Sequence, residues 1–149
     1  MRSCGTLRAV ALAPHSLGVS DIRKDMYSKA NRILASIFAI GLGIGEAVMN
    51  WGNWQYAPLW IVDYMIVAAL LVGAFQASDG KSASILKASW AFSFGVMYMA
   101  LFVTIDPDKE KYYNASPAIL YLIGLLITLS VIGIILSILT EKSLTRHST

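Results

Sequence analysis

Four long apolar runs separated by short polar stretches set the pattern of the chain, and they predict membrane spans at about residues 33–50, 57–77, 85–104 and 117–140. A hydrocarbon core about 30 Å thick takes roughly 20 apolar residues per helix. The pattern therefore predicts an all-α integral membrane protein, a four-transmembrane-helix antiparallel bundle in which sequential helices are neighbours. The flanks differ from the spans. Residues 1–30 hold one short apolar run, Val10-Ala-Leu-Ala13, which Pro14 and Gly18 break, and it is too short for the core of a signal peptide. The basic, acid-poor first twenty residues bear a slight compositional likeness to an organelle transit peptide. The preferred reading is a disordered cytoplasmic extension, with Met26 as an alternative start. Residues 141–149 are expected to form a cytoplasmic tail.

At helical spacing the first span carries Ser36, Ala39, Gly43, Glu46 and Asn50 along one stripe, which should face protein. Gly41 and Gly45 form a small-xxx-small pair and, with Gly43, allow a neighbouring backbone to approach closely. The same glycines superficially match a dinucleotide fingerprint, but they follow no strand. In the third span Ser89, Ser93, Met97, Ala100 and Thr104 share a stripe, and their hydroxyls are expected to bond one turn back or across helices. The fourth span, with small or polar positions at Gly124, Thr128, Ser130, Gly133 and Ser137, is the most uniformly aliphatic. Asn114-Ala-Ser116 in the charged third connection matches a glycosylation sequon, a motif common by chance.

Composition narrows the class further. Of 149 residues, 56% are hydrophobic and 14% charged, and the mean hydropathy is +0.60, outside the range of ordinary soluble domains. A net charge of +3 raises nucleic acid as a partner, but the basic residues flank apolar runs instead of forming one patch, so no nucleic-acid partner is expected. Ten of them (Arg2, Arg8, Arg23, Lys24, Lys29, Arg32, Lys81, Lys87, Lys142, Arg146) fall on one side of the predicted topology and two (Lys109, Lys111) on the other. That bias places both termini in the cytoplasm, and the expected location is a bacterial inner membrane. Cys4 is the sole cysteine, which excludes a disulfide or CxxC pair within the chain. His15 and His147 lie outside every span, which excludes bis-histidine haem inside the membrane. No cofactor, metal site or catalytic set is expected.

The first connection, Trp51-Gly-Asn-Trp-Gln-Tyr56, carries the candidate chemistry on either side of it. Trp51, Trp54, Tyr56 and Trp60 form a predicted interfacial aromatic belt; the functional alternative is an aromatic-walled mouth for an apolar ligand. Glu46 and Asp63 lie at similar depth in a helical hairpin, about one to two turns below the outer surface. Such a pair is suited to sharing a proton, holding a cation, or serving as acid and base, with Asn50 and Tyr64 as further polar groups. The bland alternative is a pair of carboxylates near enough to the interface to reach water.

A glycine-rich first helix, the acidic Asp63 in the second and Gly73 near that helix's end make a layout that resembles the DoxX-like four-helix membrane proteins over roughly three spans. The resemblance is one of layout and carries no site residues across. The expected role is an accessory or structural membrane subunit embedded in the lipid bilayer, with a protein partner or a homo-oligomer. The alternative is a small proton- or cation-coupled transporter using Glu46 and Asp63. An intramembrane enzyme on a lipid-like substrate, with the same carboxylates as acid and base, is the weakest of the three, because no histidine, nucleophilic cysteine or metal-ligand cluster supports it.

Overall fold

The computed structural model describes residues 19–51, 57–76, 78–105 and 117–145, with side-chain environments for all of these except 19–21, 24, 49, 50 and 57–59. The described residues are helical almost throughout, as α1 (Val19–Asn50), α2 (Ala57–Phe75), α3 (Asp79–Ile105) and α4 (Pro117–Thr145). Three of them contain segments long and apolar enough to cross a membrane: Asp25–Val48 in α1, α3 over its length, and α4 over its length. In α2 the described apolar stretch is shorter, Trp60–Phe75.

The helices outrun the hydropathy-based limits because a helix continues past the hydrocarbon wherever its ends are satisfied. Helix α1 begins at Val19 and so includes the charged stretch from Asp21 to Arg32. Helix α3 begins at Asp79, inside what the sequence presents as a polar break with an Asp-Gly turn. An acidic residue in a first helical turn is favoured by the helix dipole, and Ser82 N donates to Ser78 O at 2.8 Å. Ser82 Oγ also donates to Gly73 O at 2.7 Å, satisfying one of the carbonyls that the last turn of α2 leaves open. Pro117 opens α4, where its missing N–H is no loss.

The helices pack in cyclic order, each against its sequence neighbours, with α4 returning to α1; α1 and α3 touch lightly across the middle. Along the α3–α4 seam the pairs run in opposite senses, Lys87 with Glu141 and Ser93 with Ser130. The interior is built from Ala35, Phe38, Ala39, Leu42, Ile66, Leu70, Leu86, Trp90 and Met97. Around them the polarity is inverted relative to a water-soluble protein. Ser28, Asn31, Ser93, Ser130, Ser137 and Thr140 are buried, while Ile33, Ile37, Ile44, Phe75, Leu125 and Ile135 are exposed. An apolar exterior of this extent needs a covering, and lipid supplies one without selecting particular side chains.

Candidate functional site

Helix α1 presents two adjoining faces to the protein. Ser28, Asn31, Ala35, Phe38 and Leu42 recur at three- and four-residue steps and are all buried. Turned toward α2 are Gly43, whose Cβ position is 3.7 Å from a Val67 methyl, and Glu46, one turn further on. Glu46 and Asp63 come close enough there for their side chains to interact. Asp63 Oδ1 is buried and has no hydrogen-bond partner among the described residues. An orphaned carboxylate oxygen in a low-dielectric setting is costly unless something visits it.

The other residues expected around this pair are placed as follows. Tyr64 turns outward, 39% exposed, with its ring edge-on to Trp60 at 6.1 Å. Trp51 stands 86% exposed at the end of α1. Trp54, Tyr56 and the side chain of Asn50 lie outside the described residues. Gly41 and Gly45 have no atom within 4 Å of where a Cβ would stand, so the small-xxx-small pair is open. Among the described residues no group of His, Cys, Asp and Glu has the makings of a metal site.

Deeper in the protein lies a second polar set that sequence reasoning missed. Asn31, 1% exposed, accepts from Trp90 Nε1 at 2.9 Å and donates through Nδ2 to Ser137 Oγ at 2.8 Å. Ser137 donates onward to Gly133 O at 2.9 Å. One asparagine thus ties α1 to α3 and α4. Phe38 meets the Trp90 ring edge-on at 5.1 Å, and the ring lies so close over Gly133 that a Cβ there would collide with it. Ser93 and Ser130 share a hydrogen bond of 3.1 Å across the same seam, while Ser89 and Thr104 bond back to Ile85 O and Ala100 O.

Two ion pairs join the helices at the end opposite the carboxylate pair. Arg32 Nη2 donates to Asp79 Oδ1 at 2.9 Å, and Ser28 Oγ donates to the same oxygen at 3.2 Å. Lys87 Nζ donates to Glu141 Oε2 at 2.6 Å. Both pairs are part-exposed, with side-chain exposures between 27% and 45%, so each contributes on the order of 1 kcal/mol or less. In the sequence these four residues read as topology signals, a turn and a tail; their pairing across 47 and 54 positions leaves no local trace.

No protein-family model matches the chain, no curated protein is similar to it at a significant level, and no solved structure matches its fold. The layout shared with DoxX-like proteins is thus not accompanied by a family match.

Proposed function

We propose that the chain crosses its membrane four times as an antiparallel bundle, with both termini in the cytoplasm of a bacterial cell, and that Glu46 and Asp63 form a proton- or cation-binding site near the outer surface. The role that fits such a site is a small coupled carrier. Four spans are supported by the length of α2: its 19 residues rise about 28 Å, close to the hydrocarbon thickness. Its packing between α1 and α3 favours a crossing beside both. The observation that carries the functional reading is the contact of the two carboxylates together with the orphaned Asp63 Oδ1. Ionisable groups inside a span are expensive, and pairs of them recur along ion and proton pathways.

The test is flux in liposomes reconstituted with the full chain and loaded with a pH-sensitive dye, under an imposed potential with sodium or potassium outside. Wild-type vesicles should change internal pH faster than empty ones. The double variant Glu46→Gln with Asp63→Asn should return them to background while keeping its thermal unfolding midpoint. Flux that survives the double substitution removes the carboxylates from the mechanism.

Vesicles no more permeable than empty ones leave the second reading, an accessory membrane subunit. A specific observation favours it: the open Gly41, exposed, and Gly45, half-buried, lie beside the exposed Ile37, Ile44 and Val48, a composition suited to packing against another helix.

A further inference from the structure

At the end of the molecule away from Glu46 and Asp63, α1 and α3 enclose an open cavity of about 170 Å³ lined by Asp25, Ser28, Lys29, Arg32 and Asp79. Two of its charges are already matched, since Arg32 and Ser28 both donate to Asp79 Oδ1. The other two are not. Asp25 and Lys29 stand one helical turn apart, both exposed, and neither enters an ion pair among the described residues. Arg32 keeps donors in reserve, because Nη2 alone is engaged and Nε is buried without a partner among the described residues. A simple anion drawn to Lys29 and Arg32 would also face the carboxylates of Asp25 and Asp79. A ligand carrying both signs meets no such opposition.

The level of the cavity in the fold says where such a ligand would come from. Asp25 and Lys29 sit at the start of the apolar segment Asp25–Val48, which is where a span emerges into the headgroup layer. On the same helix, one and two turns to the membrane side of Lys29, Ile33 and Ile37 are exposed and give acyl chains a surface to lie on. We infer that this cavity binds the phosphoethanolamine headgroup of a membrane phospholipid, its phosphate at Lys29 and Arg32 and its primary ammonium at Asp25. The primary ammonium brings three N–H donors to a carboxylate, which a quaternary choline cannot do. The inference rests on the chain lying in a membrane and is independent of what Glu46 and Asp63 do.

Native mass spectrometry of the full chain, released from micelles doped with equal amounts of phosphatidylethanolamine, phosphatidylglycerol and phosphatidylcholine, tests it. Phosphatidylethanolamine should be retained about fivefold over phosphatidylcholine, the factor that one net hydrogen bond the quaternary ammonium cannot make is worth. Asp25→Asn should erase that preference and raise phosphatidylglycerol instead. Lys29→Ala should lower all three lipids. Both variants change exposed side chains and should keep the wild-type melting temperature, so a loss of binding is not a loss of fold. Equal retention of the ethanolamine and choline lipids overturns the inference, as does selectivity unchanged by Asp25→Asn. Displacement of the bound lipid by free phosphoethanolamine at equal concentration overturns its membrane source.

Discussion

Trp90 shows how much one position decides in this protein. Its side chain is wholly enclosed, unusual for the largest residue, and an enclosed indole needs an acceptor for its N–H. Asn31 supplies one, and Gly133 supplies the space, because any side chain there would overlap the ring. Overpacking of this kind costs about 1–3 kcal/mol, whereas a methyl added in open space on a helix costs nothing and adds helical propensity. Gly133→Ala should therefore lower the midpoint of detergent-induced unfolding, and Gly41→Ala should leave it unchanged or raise it. Equal midpoints for the two variants would mean that the indole is not seated against α4.

At the scale of the element, the rotation of α1 is the informative feature. Ala35 and Ala39 are fully buried with Phe38 beside them, while Ile37 is 65% exposed, so the Ala35–Ala39 face is turned to protein and the Ile37 face outward. Enlarging the buried face should hurt and trimming the outer face should not, since lipid tails are as apolar as isoleucine. Ala35→Leu is expected to lower the thermal unfolding midpoint by several degrees, at about 1–3 kcal/mol. Ile37→Ala should stay within about 0.5 kcal/mol of wild type; the reverse ranking would show that the helix is turned the other way. Helices were legible in the sequence because runs of apolar residues this long have few other outcomes. The similar depth of Glu46 and Asp63 was legible too, because one residue lies near the end of α1 and the other near the start of α2. The rotation was legible in part: Ala39 and Gly43 lie on protein-facing sides as their stripe suggested, but the face through Asn31, Ala35 and Phe38 was not marked. Hydrophobicity alone gives α2, α3 and α4 no preferred face, although the stripe of Ser89, Ser93 and Met97 did mark residues that α3 buries. Asn31 sits at the edge of an apolar run, and its partners Trp90 and Ser137 lie 59 and 106 positions away. Contacts that distant are fixed by packing rather than by local pattern.

For the whole molecule, the two ends have different chemistry, and that difference fixes what topology must be tested. The ion pairs of Arg32 with Asp79 and Lys87 with Glu141 gather at one end, and the carboxylate pair lies toward the other. In the proposed orientation, which follows the positive-inside bias, the ion-paired end faces the cytoplasm. If α2 crosses, the chain makes an even number of passes and its termini share a side. If α2 lies along the surface instead, the three long helices make an odd number and the termini part. The sole cysteine of the chain, Cys4, is a ready reporter for the N-terminal side. In intact cells making the full chain, a membrane-impermeant maleimide should leave Cys4 unlabelled. In a Cys4→Ser background it should leave Lys142→Cys unlabelled and should label Asn53→Cys, with the protected pair reacting once the membrane is opened. Labelling of Lys142→Cys but not Cys4 in intact cells would instead make α2 a surface helix, and would carry Asp63 out of any path that crosses the bilayer.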